Sequence, residues 1–272
     1  MKDSVHAVTR PVLQTGGLGK VFLGLQALQD FSIDIQPGEI VGLIGPNGAG
    51  KTTCFNLLTG FLVPTSGRIA FNGQDITGLA PARVSRLGIA RTFQNIRLFG
   101  SLSVLENVQA AVQLRVAAPL WEILLSAPGF RRKEAGVRAR AFELLELFDL
   151  ADQADQPAAS LPYGRQRRVE IARALATQPS LLLLDEPAAG MNSAESDALH
   201  RLILDLRTRF ALTIFLVEHD MRLVMNLCER LIVLNYGKII AQGRPEAVRA
   251  DPQVIVAYLG QKHSHSGSAA RA

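Results

Sequence analysis

The 272-residue sequence has few cysteines and no long apolar run. Its two cysteines, Cys54 and Cys228, are isolated and lack metal-ligand spacing, as in proteins of reducing compartments. No window approaches the roughly 20 uninterrupted apolar residues of a membrane-spanning helix, and the N-terminus carries no secretory signal. These absences argue against a disulfide framework and an integral membrane protein, so we expect a soluble intracellular protein.

Charge of one sign is not strongly in excess. The sequence has 29 lysines and arginines against 24 aspartates and glutamates, a formal net charge of +5. One basic concentration, Arg131-Arg132-Lys133 with Arg138 and Arg140, fits a solvated helix face at least as well as a nucleic-acid site; anionic lipid headgroups or an acidic partner loop are also compatible. The 48% apolar content supplies enough core for one large domain or two modest ones.

A glycine-rich segment is the most informative feature that is present. Residues Gly45-Pro46-Asn47-Gly48-Ala49-Gly50-Lys51-Thr52 have the spacing G-x-x-x-x-G-K-[ST] and follow an apolar run at 40–44. A strand that ends in such a loop and continues as a helix directs backbone N–H groups and the positive end of the helix dipole towards an anion. The Lys51 ammonium can reach outer phosphates, and the Thr52 hydroxyl can ligate Mg²⁺. The segment predicts a nucleoside-triphosphate site.

The alternative for residues 45–52 is a tight glycine turn that binds nothing. The strand-to-helix context and the full eight-residue match argue against it. Residues 16–20 (Gly-Gly-Leu-Gly-Lys) offer an internal comparison, because they also combine glycines with a lysine. No apolar strand precedes them and no serine or threonine follows, so we interpret this second segment as a turn.

Two acidic residues follow a second apolar run. Residues 181–184 are four leucines, and Asp185 and Glu186 come directly after them, at the strand end where α/β sheets place their ligand sites. Asp185 is the natural ligand, direct or through water, for the Mg²⁺ that Thr52 contacts. Glu186 could polarise the attacking water. This pair predicts the catalytic half of the site.

A third apolar run, at residues 214–217, leads to a histidine with a similar placement. We expect His219 at the tip of a neighbouring strand, where it would hydrogen-bond the γ-phosphate and hold Glu186. The other histidines have no such context and are interpreted as surface residues: His6, His200, His263 and His265. Cys54 is interpreted as a small buried apolar residue, and Trp121 with the leucines at 124–125 as packing.

The periodic pattern along the chain predicts a nucleotide-binding α/β core with a helical insertion. A helix is expected from Thr52 to about Leu62, and Ser103 with Glu106 forms a capping-box signature that begins a mainly helical stretch ending at about Ala176. Strand patterns occupy residues 25–35, 39–44, 68–72, 180–185 and 213–217, and residues 231–242 predict a hairpin.

We expect one nucleotide-binding core, because the sequence has no internal repeats and a single phosphate loop. The apolar face of one predicted helix consists of Phe142, Leu144, Leu145, Leu147 and Phe148. The expected organisation is a single domain over residues 12–260, a helical subdomain at about 100–176, and flexible termini at 1–11 and 261–272.

Further segments, in order around the phosphate loop, make the sequence resemble an ATP-binding-cassette ATPase over nearly its whole length. Residues 161–174, which begin Leu-Pro-Tyr-Gly-Arg-Gln, fall where that family has its signature loop and helix. Gln94 matches the glutamine loop, residues 188–192 match the loop after the acidic pair, and His219 matches the switch histidine. Phe22 lies where the family stacks an aromatic ring on adenine.

Finer features resemble the ATPase subunits of bacterial branched-chain amino acid importers, namely residues 75–79 and 88–99, the helical insertion, and residues 251–260. The resemblance implies an α/β fold, a P-loop NTPase core with an antiparallel β-subdomain and an inserted α-helical subdomain. It implies ATP and Mg²⁺ as cofactors. In that family two cassettes dimerise head to tail with ATP at the interface. They drive two transmembrane permease subunits at the cytoplasmic face of the inner membrane, and a periplasmic solute-binding protein delivers the substrate.

The resemblance also implies roles for individual residues. The catalytic candidates are Glu186, His219 and Gln94. The metal-ligating candidates are Thr52, Gln94 and Asp185. The nucleotide-binding candidates are Phe22, Gly45, Pro46, Asn47, Gly48, Ala49, Gly50, Lys51, Thr52 and Thr53, together with the signature residues Tyr163, Gly164 and Arg165, which would contact the ATP bound by a partner cassette.

The signature loop departs from the family's usual Leu-Ser-Gly-Gly-Gln. Pro162 replaces the serine and offers neither a hydroxyl nor a backbone N–H to the γ-phosphate. One lost hydrogen bond to a charged oxygen costs about 1.5–3 kcal/mol if nothing replaces it. The Gly164 N–H remains, and Arg165 could supply compensating charge. We therefore predict a heterodimer whose two ATP sites are unequal.

Other functions stay open at this point. Urea, short amides or other amino acids are possible solutes, because a cassette does not touch the solute. A soluble cassette ATPase acting on nucleic acid or in cluster assembly would use the basic surface. Its nucleic-acid relatives usually have two cassettes or long coiled-coil arms, and this chain has neither, so we expect no nucleic-acid partner. A GTP-binding switch would need an Asn-Lys-x-Asp segment, which is missing.

Overall fold

The computed structural model describes residues 10–115 and 128–262. Its strands are β1 (Leu13–Phe22), β2 (Leu25–Ile35), β3 (Ile40–Ile44), β4 (Ser66–Phe71), β5 (Gln74–Asp75), β6 (Ile89–Arg91), β7 (Leu181–Asp185), β8 (Thr213–Val217), β9 (Arg230–Asn235) and β10 (Lys238–Gly243). Its helices are α1 (Lys51–Leu58), α2 (Pro81–Leu87), α3 (Val104–Gln113), α4 (Pro128–Leu147), α5 (Tyr163–Ala176), α6 (Ser193–Phe210), α7 (Met221–Leu227), α8 (Pro245–Ala250) and α9 (Pro252–Lys262). Predictions for His6, Trp121, residues 124–125, His263 and His265 concern residues outside the described ranges.

The described residues form two compact units. The first contains residues 10–84 and 204–262, and the second contains residues 85–115 and 128–203. The divisions fall inside α2 and α6. Within the described ranges, no helix is both long enough and apolar enough to cross a bilayer.

An antiparallel sheet in the first unit has the strand order β2-β1-β4-β5. β1 pairs with β2 along one edge, with Leu13 opposite Ile35, and with β4 along the other. Alternate residues towards the end of β2, namely Phe31, Ile33 and Ile35, are buried. This alternation is typical of an antiparallel sheet with one face on the core.

The strands that precede the phosphate loop and His219 are parallel and fully buried. β3 lies between β8 and β9, and β10 joins β9 as an antiparallel hairpin. Every residue of β3 and β8 is buried, which explains their continuous apolar sequences. The rings of Phe55 in α1 and Phe215 in β8 lie 5.2 Å apart. This contact fixes α1, and with it the end of the loop, against the sheet.

In the second unit, β6 and β7 pair in parallel, and α3 packs against α4 and α5. The predicted capping box at the start of α3 is confirmed. Ser103 Oγ accepts a hydrogen bond from Glu106 N–H at 3.1 Å, and Glu106 Oε2 accepts one from Ser103 N–H at 2.7 Å. The buried Asn107 side chain donates to Phe99 O at 3.0 Å and accepts from Phe99 N–H at 2.9 Å. These bonds fasten the preceding loop to α3.

The prediction of a turn at residues 16–20 is wrong, because these residues form the middle of β1. The strand is irregular there, since its register with β2 shifts on both sides of Leu18 and Gly17 has a φ of 59°. A Cβ at Gly19 would lie 2.5 Å from Ser66 Oγ in β4. The glycines therefore permit bulges and a close contact between strands.

Other element boundaries agree more closely with the sequence. The predicted strands and the hairpin are confirmed to within two residues at each end. α1 ends at Leu58 instead of about Leu62. The Thr59 hydroxyl donates to Phe55 O at 2.6 Å, and Gly60 adopts a φ of 75°. A left-handed glycine at this position is a common helix terminator.

Two predictions about burial need correction. On the predicted apolar face, which extends one residue past α4, Leu144, Leu145 and Phe148 are buried and Leu147 is half-buried, whereas Phe142 is 39% exposed. His200 is half-buried rather than on the surface, and its Nε2 is a buried atom without a hydrogen-bond partner in the described parts of the chain. Cys54 is buried, as predicted. The C-terminal helix continues to Lys262, two residues past the predicted end of the domain.

Candidate active site

The phosphate loop connects β3 to α1 in the first unit. Gly50 adopts a φ of 106°, and a Cβ there would lie 2.5 Å from Ala27 O. At Gly45 a Cβ would lie 2.1 Å from Leu234 O. Glycine is required at both positions, because backbone from β2 and β9 occupies the space that a side chain would need.

Lys51 is the first residue of α1, and its side chain folds back over the start of the loop. Its Nζ donates to Gly45 O at 2.7 Å and to Pro46 O at 2.9 Å. Gly50, the N-cap residue, has no side chain that could accept a hydrogen bond from the first-turn N–H groups. The first-turn N–H groups of α1 and the positive end of its dipole therefore adjoin the loop. Thr52 is exposed on this turn, and Thr53 is half-buried.

The β9–β10 turn and α9 contact the loop from the C-terminal part of the chain. Gly237 N–H donates to Ala49 O at 2.9 Å. Burial raises the pKa of the Tyr258 hydroxyl, and a hydrogen bond with the backbone of Gly45 partly offsets this rise. Neither contact could be predicted from the sequence, because no local pattern links these residues to the loop.

Asp185 ends β7 in the second unit, and its carboxylate is paired and buried. Arg91 Nη2 in β6 donates to Asp185 Oδ2 at 2.7 Å, and the two side chains are 5% and 6% exposed. The backbone N–H of Asp185 also donates to Thr92 Oγ1 at 3.3 Å. Because an unpaired buried charge is very unfavourable, Arg91 is what permits a carboxylate here. No local sequence pattern predicts this role of Arg91.

Glu186 and Gln94 are in direct contact. Gln94 Nε2 donates to Glu186 Oε2 at 2.9 Å. Glu186 has a φ of 47°, a conformation that is uncommon for residues other than glycine and that concentrates at functional sites. The structure thus brings together two of the three catalytic candidates, next to Asp185 in sequence.

The signature residues begin α5. Pro162 is the N-cap residue, with φ −55° and ψ 150°, and Tyr163 and Gly164 start the helix. The Tyr163 ring packs against Gly190, where a Cβ would lie 3.3 Å from Tyr163 Cε1. A Cβ at Gly164 would lie 3.3 Å from Glu195 Oε1. The first turn of α5 is therefore closely packed against the loop that follows the acidic pair and the start of α6.

Arg165 is engaged within the second unit. Its Nη1 donates to Asp149 O and lies 3.5 Å from Gln153 Oε1. The guanidinium is thus bonded to the segment that follows α4. The contact of Arg165 with a partner cassette's ATP, which the family resemblance implies, stays a prediction.

His219 and Phe22 are exposed in the first unit. The buried Glu218 accepts a hydrogen bond from His219 N–H at 3.0 Å. Asp220 caps α7 by accepting first-turn N–H groups, so the backbone is fixed on both sides of the histidine. Phe22 is 39% exposed, and Lys20 Nζ lies 5.1 Å from its ring centroid. An exposed ring of this kind suits stacking on a flat ligand.

The candidate residues are divided between the two units. The first contains Phe22, the phosphate loop and His219, and the second contains Gln94, the signature residues, Asp185 and Glu186. The predicted sharing of Mg²⁺ by Thr52 and Asp185, and the predicted contact of His219 with Glu186, would each join the two units. Both stay predictions.

Known families match most of the chain. A profile described as ABC transporter matches residues 28–189, which include the phosphate loop, Gln94, the signature loop and the acidic pair. The chain belongs to this family. A second profile, described as branched-chain amino acid ATP-binding cassette transporter, matches residues 238–264 of this ABC protein. That match covers β10, α8 and α9, including Tyr258.

Individual ABC proteins resemble the chain over nearly its full length. It is 46% identical to the high-affinity branched-chain amino acid transport ATP-binding protein LivG of Escherichia coli (strain K12), over 93% of this chain and 100% of that protein. The solved ADP conformation of MJ1267, an ATP-binding cassette of an ABC transporter, matches with a TM-score of 0.80 and 34% identity, over 93% of this chain and 100% of that one. A dimeric post-hydrolysis state of the cassette MJ0796 bound to ADP and Pi matches with a TM-score of 0.72 and 27% identity, over 86% and 98%.

These matches confirm the predicted family and fold class. The fold is that of an ABC ATPase, a mixed α/β architecture with antiparallel and parallel sheets. Members of this family bind and hydrolyse ATP.

Proposed function

We propose that this chain is the ATP-hydrolysing subunit of an ABC importer for branched-chain or related amino acids. The observation that carries the proposal is the contact of Gln94 with Glu186, directly after the buried, paired Asp185. A complete phosphate loop precedes them in the same chain. Positioning of water and stabilisation of phosphoryl charge are what ATP hydrolysis requires. The similarity to LivG over its full length supports the solute class.

In this proposal the phosphate loop binds the triphosphate of ATP. Lys51 Nζ now contacts the carbonyl oxygens of Gly45 and Pro46, and it would turn to the phosphate oxygens. The N–H groups at the start of α1 add hydrogen bonds and a favourable dipole. Phe22 stacks on adenine. The signature residues contact the ATP of a partner cassette: Tyr163, Gly164 and Arg165.

The available donors fit Mg²⁺ as the metal. Magnesium is usually held by one or two carboxylates together with substrate phosphates. Asp185 would supply a carboxylate, Thr52 a hydroxyl, and Gln94 its Oε1, since Nε2 is bonded to Glu186. Among the described residues no three or more His, Cys, Asp or Glu side chains form a metal-holding group. Bound Mg²⁺ would neutralise charge that develops on the phosphates.

Glu186 acts in this proposal as the general base. Its carboxylate takes a proton from the attacking water, and the bond from Gln94 Nε2 orients it. His219 holds the γ-phosphate from the end of β8. The capped helix α7 and the buried Glu218 keep the histidine backbone in place for this role.

The proposed assembly follows from the family. The chain pairs head to tail with a second ABC ATPase subunit, with ATP at the interface; the related cassette MJ0796 has been observed as a dimer. The pair drives two transmembrane permease subunits from the cytoplasmic face of the bacterial inner membrane. A periplasmic solute-binding protein supplies the solute to those permeases.

Calorimetry with MgATP tests the binding step. We expect the wild-type chain to bind MgATP and the Lys51→Ala variant to lose most of that affinity, because a charge-assisted bond to phosphate contributes about 1.5–3 kcal/mol. Lys238→Ala, which removes an exposed lysine in β10, is the matched control and should bind as the wild type does. Equal binding by the wild type and Lys51→Ala would contradict the proposed site.

Hydrolysis by a Glu186→Gln variant tests the chemistry. We expect it to bind MgATP normally and to hydrolyse it at least about 100-fold more slowly, as for loss of a general base. The exposed Glu143→Gln change on α4 controls for loss of a negative charge. Turnover of Glu186→Gln near the wild-type rate would exclude this role. Separate uptake assays with labelled leucine and with labelled urea in the assembled transporter then distinguish the two solute classes.

A further inference from the structure

An ion pair within α5 is the most completely buried pair of charges among the described residues. Arg167 Nη1 lies 2.6 Å from Glu170 Oε2, and the two side chains are 0% and 2% exposed. Arg167 Nε has no hydrogen-bond partner in this part of the chain. Removing both charges from water costs about as much as their attraction returns, so apolar residues often stabilise a fold equally well. The contacts of this pair therefore point to a role other than stability.

The pair holds the backbone of two consecutive residues, Phe93 and Gln94. Arg167 Nη1 donates to Phe93 O, and Nη2 donates to Gln94 O at 2.8 Å. Glu170 Oε1 accepts from Phe93 N–H at 3.1 Å. Three main-chain groups are thus bonded to one rigid pair on one helix. Because the backbone sets the direction of the Gln94 side chain, the pair controls where the Gln94 amide points.

The hydrogen bonds of Gln94 and of Arg167 extend to two further candidate site residues. On one side Gln94 Nε2 donates to Glu186 Oε2 at 2.9 Å. On the other, Arg167 Nη2 donates to Tyr163 Oη at 3.0 Å, at the start of the signature helix. A continuous path of hydrogen bonds therefore runs from Tyr163 through Arg167 and the backbone and side chain of Gln94 to Glu186. All of these residues lie in the second unit.

We propose that Arg167 and Glu170 are positioning residues that orient Gln94 against Glu186 and couple this orientation to Tyr163, an inference that rests on the proposed ATPase function. Neither residue touches the reacting atoms. A shift of Tyr163, as when nucleotide of a partner cassette reaches the signature loop, moves the Arg167 guanidinium and with it the Gln94 backbone. Contact of nucleotide with the signature loop then changes the orientation of Gln94 against Glu186, the proposed general base of the same subunit.

Apolar replacement of the pair tests the positioning role in the full-length chain assembled with its second cassette and permeases. The Arg167→Met/Glu170→Leu variant should retain its ATP dissociation constant to within about twofold, because the phosphate loop is unchanged. Its kcat should fall by about 100-fold, the effect of displacing a group near the chemistry. The matched control is Arg140→Met/Glu143→Leu, an exposed pair with the same i,i+3 spacing on α4. It should leave both quantities unchanged.

A double-mutant cycle with Gln94→Ala separates positioning from general damage to the fold. If the pair acts through Gln94, replacement of Arg167 and Glu170 causes no further loss of kcat in a chain that already carries Gln94→Ala. Hydrogen exchange supplies a readout independent of hydrolysis, since the Phe93 amide should exchange faster without Glu170. The proposal would be overturned if the losses of kcat from Gln94→Ala and from replacement of the pair multiply. It would also be overturned if Arg167→Met/Glu170→Leu has the kcat of the wild type.

Two further comparisons cover the cases in which the apolar variant does not fold or the wild type does not hydrolyse ATP. If the apolar variant does not fold, Arg167→Lys replaces it, because lysine keeps the charge but cannot bond two carbonyls as a planar fork; an unchanged kcat there would overturn the proposal. A wild-type complex that does not hydrolyse ATP would contradict the proposed function, while faster exchange of the Phe93 amide in the variant would still show that the pair bonds this backbone. Wild-type hydrolysis with multiplying losses would contradict the positioning role alone.

Discussion

Asp185 and Arg91 form an ion pair that is almost fully removed from water. Without Arg91, the carboxylate at the end of β7 would be left buried and uncompensated, and such a charge is costly. The arginine therefore makes it possible to place a carboxylate at the end of a buried strand, where the proposed site requires one.

The Arg91→Met variant should be destabilised by about 3–5 kcal/mol, the usual effect of breaking a buried pair from one side. Urea unfolding without nucleotide measures this change. Arg140→Met removes one partner of the exposed pair with Glu143 on α4, and it should shift the free energy of unfolding by less than about 1 kcal/mol. Equal effects of the two substitutions would show that Arg91 does not compensate a buried charge.

The placement of candidate residues in the fold was predictable from sequence only where the motif is contiguous. The phosphate loop could be predicted because its spacing directly determines which backbone N–H groups converge. The pair Asp185 and Glu186 could be predicted from the leucine run before it. Arg91 and Arg167 could not, because each bonds groups far away in the sequence and neither has a local pattern that sets it apart from other arginines.

Among the elements, α3 shows a local signal that determines where a helix starts. Both bonds of the capping box between Ser103 and Glu106 are present. The Ser103→Ala variant should lose about 1 kcal/mol of stability, because the Glu106 N–H loses its acceptor. Ser101→Ala, an exposed serine two residues earlier, is the control and should be neutral. Equal unfolding midpoints for the two variants would contradict the capping role.

The same cap should depend on pH. Hydrogen bonds from the backbone and side chain of Ser103 lower the pKa of Glu106 from its ordinary value of 4.5. A lowered pKa means that the carboxylate stabilises the fold fully above about pH 4.5, and that this contribution is lost as the pH falls through the lower folded value. The stability difference between wild type and Glu106→Gln should shrink over that window in acid titration. A difference independent of pH would argue against an ionised cap.

Element boundaries also show where sequence patterns fail. The fully buried strands β3, β7 and β8 were predicted because an uninterrupted apolar run of that length suits little else. β1 was missed because its glycines, which usually mark turns, serve here to admit bulges and the close approach of Ser66. Whether a glycine turns the chain or accommodates a neighbour depends on the partner strand, which the local sequence does not contain.

At the scale of the whole molecule, the prediction of a heterodimer depends on the sequence of the signature loop. Pro162 has no hydroxyl or N–H for a phosphate, and the structure bonds Arg165 Nη1 to Asp149 O instead. One donor of the guanidinium considered as compensation is therefore already bonded within this chain. The compensation for the missing serine is then partial, which agrees with the expectation that this half of the interface is the weaker one.

Restoring the serine should then raise activity in the assembled transporter. Pro162→Ser adds a hydroxyl donor for the γ-phosphate across the dimer, and regaining about 1.5 kcal/mol, the lower end of the range for such a bond, corresponds to about a tenfold faster turnover. The measurement is the ATPase rate of the complex with its second cassette and permeases. Pro81→Ser, at the start of α2, is the matched control and should leave the rate unchanged. An unchanged or lower rate for Pro162→Ser would contradict unequal sites, because it would mean that the proline loop already serves the phosphate as well as a serine does.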